Sequence, residues 1–572
     1  MKVESSARDG AQRGATATSG TDCGAQPVVK ISVATALARA FKAAGVRRMF
    51  GLPGGGSSLD LIEATQRQRI DFILTRHECA AVFMAAATAE IEGNLGVALT
   101  TKGPGTANAA NGAAHACLDR NPVALITDGF APHLRSYVTH QWYDQRALLA
   151  PVVKGHSLLD TAQAGAEIER LLALAQAPSA GPVHFELTSA AARSMVTSRA
   201  ARPDGAAPTP GRAPLAHARK LVAGARKLVA GARKPVVVVG LEACTGTTSR
   251  AVRGLVAELG CPALVTYKAK GVIADGDPHY AGIFTGGLAE QPTVKQADLI
   301  ILVGMDPVEL ILQPWAYDIA VLEITLARHP VHYVKAALSL YGALETSLAA
   351  LAGAGVPGLW QREQIAELRE AVQATLGYTG NGSGLTPQQV VETAVVAARA
   401  LPRWPRATVD AGAHMFSATA FWPCHQPRDL LISNGLATMG FALPAAIASG
   451  LADPRRPTVA FTGDGGLLMC LGELATAVAC RARIVVVVFN DGALSLIDIK
   501  QQQRRLPTRG VRWARPDFAM AMRAVGGRGY RATTLSGYRR ALAQAFGGAG
   551  PALIDVAVDP SGYPAQLAAL RG

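Results

Sequence analysis

The stretch TVAFTGDGG at 458–466 joins an apolar run to a Gly-Asp-Gly turn, and the next apolar run, 484–489, ends at Asn490. Short apolar runs between turn residues predict strands that are buried on both faces, as in parallel sheets. A carboxylate and a carboxamide at the ends of two such strands are hard oxygen ligands that suit Mg²⁺. The glycines would let a diphosphate approach the backbone at the N-terminus of the next helix. The alternative is an ordinary turn with an unrelated asparagine.

The same alternation of apolar runs and helical patterns occurs in two earlier stretches. The strands predicted there lie at 97–101 and 123–127, then at 235–240, 263–267 and 299–304. Together with the third stretch, they predict an α/β protein with three doubly wound parallel-sheet domains. A repeated heptad at 218–231 is interpreted as the extension of one helix. We place the domains at 28–198, 215–351 and 385–572, the linkers at 199–214 and 352–384, and a disordered tail at 1–27.

The composition predicts a globular protein and argues against membrane, secreted and nucleic-acid-binding classes. Of the 572 residues, 49% are hydrophobic and 17% are charged, so most of the chain can bury a core. No apolar run reaches the roughly 18 residues that span a bilayer, and the polar N-terminus does not match a secretion signal. The eight cysteines are scattered without CxxC pairs, which favours the cytoplasm. The net charge of +14 predicts a basic surface that attracts small anions rather than nucleic acid, since no nucleic-acid-binding motif accompanies it.

A second motif lies in the first domain, where TRHECAA at 75–81 places Glu78 between a strand-like run and an Ala-rich helix. Alone, Glu78 would be interpreted as a carboxylate that the helix dipole stabilises. The segment that follows contains Gly103-Pro104-Gly105, then Asn108, then Leu118-Asp119. In order and spacing these residues resemble the pyrimidine-binding domain of the thiamine diphosphate-dependent enzymes, and this resemblance implies a functional glutamate.

With these segments the chain resembles the thiamine diphosphate (ThDP)-dependent enzymes, specifically the acetolactate synthase-like branch of 2-oxo acid decarboxylases and carboligases. The resemblance covers about 28–558 and implies a pyrimidine-binding, a central Rossmann-like and a diphosphate-binding domain. It implies that Asp464, Asn490 and the backbone oxygen of Gly492 bind magnesium. Glu78 would hydrogen-bond the pyrimidine ring of ThDP and promote the tautomer that removes the thiazolium C2 proton.

The loop SNGLATMGF at 433–441 resembles the family's loop beneath the bent cofactor. Met439 would be the side chain between the two cofactor rings, although Met is also a common core residue. Ala437 stands where the family usually has glycine, and only its backbone carbonyl is expected to matter. The cofactor contacts that the resemblance implies are Gly54, Gly105, Ala437, Met439, Gly463, Gly465, Gly466 and Leu496.

The sequence indicates the residues that contact the substrate less specifically than those that contact the cofactor. GLPGGGS at 51–57 resembles acetolactate synthases, where the substrate-facing position, Gly55 here, has no acid–base side chain. A site without such a side chain favours carboligation over protonation. Candidate polar contacts are His115, Asp128, His140 and Gln141, each of which could equally be an ordinary loop or helix residue. Ile497 would lie over the reacting carbon, and Lys500 would either pair with an anionic substrate or be solvated.

The middle domain departs most from the family. VGMDPV at 303–308 and IFTGG at 283–287 do not match the flavin-binding segments of FAD-dependent acetolactate synthases, which argues against FAD. Lys268 and Lys270 could bind a nucleotide-like anion, but a surface loop is the preferred interpretation. The resemblance also implies a homodimer or homotetramer with active sites between subunits.

Three functions remain open. The first is a ThDP- and Mg²⁺-dependent carboligase that decarboxylates a pyruvate-like 2-oxo acid and condenses the enamine with a second carbonyl. The alternative is a 2-oxo acid decarboxylase or C–C lyase with a larger or anionic substrate. The third is a ThDP-binding partner protein without catalysis, against which the presence of Glu78, Asp464 and Asn490 argues.

Overall fold

The computed structural model describes residues 29–160, 163–198, 215–311, 315–355, 358–382 and 384–571. The tail predicted at 1–27 and the linker predicted at 199–214 lie outside the described residues. Three six-stranded sheets, each with all its strands parallel, dominate the fold. The predicted α/β class with three parallel-sheet domains is therefore confirmed.

The first sheet has the strand order β3-β2-β4-β5-β7-β6, and a separate antiparallel pair joins β1 to β8. Its helices lie on both faces, because alternate residues of its strands pack in two separate apolar clusters with different helices. The elements are β1 (Val29–Ser32), α1 (Val33–Ala43), β2 (Arg48–Leu52), α2 (Ser57–Arg67), β3 (Asp71–Leu74), α3 (Glu78–Glu92), β4 (Gly96–Thr100), α4 (Pro104–Leu118), β5 (Val123–Asp128), α5 (Gln145–Leu149), β6 (His156–Leu158), α6 (Ala164–Gln176), β7 (Val183–Leu187), α7 (Ser189–Arg193) and β8 (Met195–Ser198).

The second sheet has the order β11-β10-β9-β12-β13-β14. The repeated heptad lies within the single helix α8, as predicted, and Ala225 and Val229 of that helix are buried. The elements are α8 (Leu215–Gly231), β9 (Pro235–Val239), α9 (Gly246–Leu259), β10 (Ala263–Val265), β11 (Tyr280–Ile283), α10 (Gln291–Val294), β12 (Leu299–Val303), β13 (Ala320–Thr325), β14 (Leu338–Tyr341), α11 (Leu344–Leu351) and α12 (Arg362–Thr375).

The third sheet has the order β16-β15-β17-β18-β20-β19, so the two strands predicted around the Gly-Asp-Gly turn, β17 and β18, are neighbours. The elements are α13 (Pro387–Arg399), β15 (Arg406–Val409), α14 (His414–Phe421), β16 (Leu430–Ile432), α15 (Ala442–Ala452), β17 (Thr458–Gly463), α16 (Asp464–Met469), α17 (Glu473–Ala479), β18 (Ile484–Asn490), α18 (Ser495–Gln503), α19 (Phe518–Ala524), β19 (Arg528–Ala532), α20 (Leu535–Gly547), β20 (Ala552–Ala557) and α21 (Tyr563–Arg571).

The first and third domains pack through α3 and α15, which share one buried apolar cluster. Both helices are rich in alanine, so their backbones can approach closely, and neither has a polar outer face. An ion pair between Arg120 Nε and Asp306 Oδ2, 2.7 Å apart, joins the first domain to the second. Among the described helices, none is long and apolar enough to cross a bilayer.

Candidate functional site

Asp464 lies at the carboxyl edge of the third sheet, where β17 ends and α16 begins. Its side chain is 2% exposed. Oδ1 accepts a hydrogen bond from Gly465 N, and Oδ2 accepts one from Gly492 N, each at 2.8 Å. Gly492 has φ 75°, a left-handed conformation that favours glycine. A direct hydrogen bond therefore brings Asp464 and Gly492 together, and the carbonyl of Gly492 accepts a bond from Trp513 N at 2.9 Å.

Asn490 ends the neighbouring strand, and its amide is held in one orientation. Nδ2 donates to Asp555 Oδ1 at 2.9 Å and to Pro516 O at 3.1 Å. Oδ1 is buried and has no hydrogen-bond partner among the described residues. Because buried polar atoms nearly always have a partner, this oxygen is suited to a ligand such as a cation.

Two carboxylates, the buried one of Asp464 and the partly buried one of Asp491, add negative charge at the same place. Burial and the charge of Asp491 raise the pKa of Asp464 to about 7. Burial likewise raises the pKa of Asp491, whose Oδ2 accepts a bond from Ser495 Oγ at 2.5 Å. A bound cation would offset the cost of keeping both carboxylates ionised.

A cavity of about 240 Å³ opens beside these groups. Gly465 and Gly466 form part of its wall, and a Cβ on Gly466 would overlap Oδ2 of Asp410. Backbone N–H groups and the start of a helix at such a wall suit a diphosphate. The residues around the cavity include Ala437, Met439, Gly463, Asp464, Gly465, Gly466, Leu496 and Ile497, all of which were predicted.

Sequence reasoning missed Asp410 and His414, which follow β15 at the same sheet edge. The carboxylate of Asp410 accepts bonds from Gly440 N and Phe441 N and so fixes the loop at 433–441. His414 lines the cavity and stacks on Phe489 with ring centroids 5.3 Å apart. Burial lowers the pKa of His414 to about 4, so its ring is neutral near pH 7. The signal for Asp410 was its position directly after a buried strand, and His414 begins the helix that follows.

Ala437 has φ 52°, a left-handed conformation. An L-residue with a Cβ is strained there by about 1–2 kcal/mol. This conformation explains why glycine is common at this position in the family that the sequence resembles. Met439, two residues later, lines the cavity, and its Cε would lie 3.3 Å from a Cβ placed on Gly465.

Glu78 begins α3 in the first domain and is 8% exposed. Its Oε2 accepts a bond from Asn108 Nδ2 at 3.0 Å. A Cβ on Gly105 would lie 3.3 Å from Glu78 Oε1, and one on Gly54 would overlap Asp128 Oδ2, so both glycines allow close packing here. Gly55, in contrast, has open space around its Cβ position.

Glu78 and Asp464 line no common cavity in the described part of the chain. No first-domain residue lies among those that line the 240 Å³ cavity in the described part of the chain. A separate cavity of about 440 Å³ between the two domains is bordered by Asn108 and Met439 but not by Glu78. A site that needs both Glu78 and Asp464 is thus divided between two surfaces of the chain.

Comparisons with known proteins identify the family. Models of three domains of thiamine pyrophosphate enzymes match the chain in order: the N-terminal TPP binding domain at 31–148, the central domain at 222–351 and the C-terminal TPP binding domain at 410–556. The chain belongs to the thiamine pyrophosphate enzymes. Thiamine pyrophosphate and thiamine diphosphate are the same compound, so ThDP, the predicted cofactor, is confirmed.

Curated relatives of this ThDP enzyme narrow the branch. It is 28% identical to the acetolactate synthase of Bacillus subtilis (strain 168), over 90% of this chain and 91% of that protein. It is also 28% identical to the catabolic acetolactate synthase of Raoultella terrigena and to a probable 2-ketoarginine decarboxylase of Pseudomonas aeruginosa, in each case over 93% of this chain and 95% of the relative. The protein is therefore a ThDP-dependent decarboxylase or carboligase of the acetolactate synthase-like branch.

Three polar side chains of this ThDP enzyme lie in the interior. His115, a candidate for contact with the substrate, is fully buried: its Nδ1 lies 3.0 Å from both Ser433 Oγ and Asp119 Oδ2, and its ring packs against aromatic residues. The surface-loop interpretation of the two lysines is wrong. Lys268 and Lys270 do not lie on a surface loop. They are buried, because Glu90 and Asp275 each supply a carboxylate within 2.8 Å of one of the two ammonium groups.

The other substrate candidates lie in exposed or supporting positions. Asp128 is buried, and its Oδ1 accepts bonds from Ser57 and Ser58, which fixes the Gly-rich segment. His140 and Gln141 are exposed, and Lys500 is exposed on α18 outside the cavity. Gln145, which sequence reasoning missed, links Gly103 N and Asp128 O through its buried amide.

Proposed function

We propose that this enzyme is a carboligase that uses ThDP and Mg²⁺, decarboxylates a 2-oxo acid such as pyruvate and joins the remaining acyl unit to a second carbonyl. The observation that carries the proposal is the unpartnered, buried Oδ1 of Asn490, at the end of the strand next to the one that leads into Asp464. Asp464 itself lines the glycine-walled cavity. Asp464, Asn490 and the carbonyl of Gly492 would hold the magnesium, and Gly463, Gly465 and Gly466 would border the diphosphate. Bound ThDP supplies a carbon nucleophile and an electron sink.

The protein's own groups would position and protect the reaction. Glu78, held by Asn108, would keep a proton at the pyrimidine ring nitrogen, and Gly54 and Gly105 would allow close approach. The carbonyl of Ala437 would accept a bond from the ring amine. Met439, Leu496 and Ile497 would form an apolar wall that excludes water, which strengthens electrostatic interactions inside.

Gly55 supports ligation rather than simple release of an aldehyde. The open space at its Cβ position leaves room for a second carbonyl compound and provides no proton donor. Gln141 and Lys500 are retained as candidates for contact with the substrate, both from exposed positions. Relatives named as large subunits support oligomeric assembly of this enzyme. We propose a homodimer or homotetramer in which one subunit supplies Glu78 and its partner supplies Asp464.

The alternative function is decarboxylation or C–C cleavage without ligation, which the 2-ketoarginine decarboxylase relative supports. The seven described cysteines are unpaired, which supports the proposed cytoplasmic location. We retain the domain bounds 28–198, 215–351 and 385–572 as proposals, with the linkers between them.

The experiment measures CO₂ release from a panel of 2-oxo acids by the full-length protein with ThDP and Mg²⁺, with products identified by NMR. A hydroxyketone or acetolactate product that Glu78→Gln abolishes is expected. An aldehyde as the sole product would favour the alternative function. Absence of CO₂ release from every acid, despite bound ThDP, would refute both.

A further inference from the structure

A larger cleft adjoins the cofactor cavity. Its volume is about 600 Å³, and Met415, Ala437 and Arg571 line both spaces. All three domains contribute to it, the middle domain mainly through segments around 307–311 and 329–333. A molecule that reacts in the cofactor cavity could therefore extend into the cleft past these shared residues.

The walls of the cleft combine apolar surface with hydrogen-bond donors. Val331 is 60% exposed and Tyr333 is 37% exposed, although both are large and apolar. Arg571 Nε and Asn434 Nδ2 are buried donors without acceptors among the described residues. No aspartate or glutamate lines the cleft in the described part of the chain. Buried donors without acceptors, beside apolar surface and no acid, suit an organic anion with an apolar body.

We propose that this cleft binds the distal part of the donor substrate, and that the donor is a 2-oxo acid whose apolar chain ends in a second carboxylate. This inference rests on the proposed function. Arg571 and Asn434 are the donors for that distal carboxylate, and Val331 and Tyr333 contact the chain. A guanidinium tail would instead meet Arg571 with no acid in the wall, since the nearby Asp306 is already paired with Arg120.

The distal carboxylate is a better partner for Arg571 than the carboxylate that leaves as CO₂. The leaving carboxylate loses its charge as the C1–C2 bond breaks, so a strong ion pair with it would stabilise the ground state more than the transition state. A distal carboxylate keeps its charge throughout the reaction. Its binding lowers the KM without raising the barrier.

The test compares three donors with the holoenzyme: pyruvate, 2-oxohexanoate and 2-oxoadipate. Each buried methylene contributes about fourfold in affinity, so kcat/KM for 2-oxohexanoate should exceed that for pyruvate at least about tenfold. A charge-assisted hydrogen bond contributes about 10- to 100-fold. We expect kcat/KM for 2-oxoadipate to exceed that for 2-oxohexanoate by this factor.

Matched variants isolate charge in the cleft. Val331 is exposed, so Val331→Asp and Val331→Lys should both fold. The ratio of kcat/KM for 2-oxoadipate to that for 2-oxohexanoate should fall about three- to tenfold in Val331→Asp and rise in Val331→Lys. Arg571→Gln should lower the same ratio at least about tenfold. Arg67→Gln, at an exposed position of α2 in the first domain, is the control and should leave the ratio unchanged.

The outcomes separate the two proposals. The cleft proposal is overturned, and the proposed function stands, in either of two cases. In the first, pyruvate reacts and the longer acids have no higher kcat/KM. In the second, the ratio of kcat/KM is the same in Val331→Asp and Val331→Lys. If no donor reacts, calorimetry measures the binding of 2-oxoadipate to the Glu78→Gln enzyme with and without Val331→Asp. Binding that is weaker with Val331→Asp supports the cleft proposal. No binding, or binding that Val331→Asp does not change, overturns it. FAD or ADP could instead bind more weakly to Val331→Asp and more tightly to Val331→Lys, while the ratio of kcat/KM for 2-oxoadipate to that for 2-oxohexanoate stays unchanged. That result would make the cleft a nucleotide site and overturn the proposal.

Discussion

Replacing Gly466 by alanine is expected to destabilise the third domain strongly. A Cβ at this position would overlap Oδ2 of Asp410 and lie 3.1 Å from its Cγ. Asp410 cannot move without loss, because its carboxylate accepts bonds from Gly440 N at 3.1 Å, Phe441 N at 3.0 Å and Thr462 Oγ1 at 2.9 Å. Those bonds hold the loop at 433–441 to β17 through Asp410, so the loop should shift with the carboxylate.

The expected loss in the free energy of unfolding is calculated from the hydrogen bonds to Asp410 that would break. At pH 8, above the pKa of about 6 that burial gives Asp410, each hydrogen bond to its charge contributes about 1.5–3 kcal/mol. Loss of two would cost about 3–6 kcal/mol, and the greater helix propensity of alanine would offset up to about 1 kcal/mol. The net loss in the free energy of unfolding is therefore about 2–5 kcal/mol.

Gly465→Ala is the matched control in the same turn of helix. Its Cβ would meet only side-chain atoms, at 3.1 Å from Leu494 Cδ2 and 3.3 Å from both Met439 Cε and Trp513 Cη2. Urea unfolding of both variants at pH 8, followed by tryptophan fluorescence, gives the comparison. We expect Gly466→Ala to unfold at clearly lower urea and to lose ThDP affinity. Equal midpoints for the two variants would refute the reasoning from Asp410.

Three further predictions concern single groups. Ala437→Gly should raise the free energy of unfolding by about 0.5–1 kcal/mol, because relief of the left-handed strain outweighs the greater entropy of the unfolded chain; a lower urea midpoint would contradict it. Burial raises the pKa of Glu309 from 4.5 to about 8. Between these two pH values its carboxyl is protonated in the folded protein and ionised in the unfolded chain. Its contribution to stability is greatest below pH 4.5 and falls by up to about 5 kcal/mol as the pH rises to about 8. Glu309→Gln should flatten the dependence of Tm on pH over that range, and an unchanged slope would argue against it. Loss of an outer-shell partner already costs about 10- to 100-fold in metal affinity. Asn490→Leu, which removes a proposed direct ligand, should therefore raise the Mg²⁺ concentration for half-maximal ThDP binding at least about tenfold, and an unchanged titration would exclude Asn490 as a ligand.

The sheet architecture and the third-domain site could be predicted from sequence because both depend on local pattern. Valine-rich runs between turns predict buried parallel strands, and a polar residue directly after such a run lies at the carboxyl edge of the sheet. Asp464 and Asn490 follow neighbouring strands, so their proximity follows from topology. Asp410 follows β15 in the same way, and the same argument could have found it.

Features that depend on distant partners could not be predicted. Lysine is exposed in most proteins, and the burial of Lys268 requires Glu90, which is far away in the sequence and lies in another domain. His115 is buried because the first and third domains pack around it, which no periodicity indicates. Arg571 had no signal at all, because a single arginine on an amphipathic helix is usually solvated.

The division of the site between two surfaces of the chain leads to a test by complementation. Glu78 begins α3, which is buried along most of its length against α15 and other helices, so it cannot swing to the cavity in its own third domain. If a partner completes the site, Glu78→Gln and Asp464→Asn homodimers are both inactive. A heterodimer of the two, purified through two tags, contains one subunit with an intact Glu78 and one with an intact Asp464. These face each other at one of the two sites, so about half of the wild-type activity should return. A site built within one chain would leave the heterodimer inactive, because each chain then carries a defect in its own site.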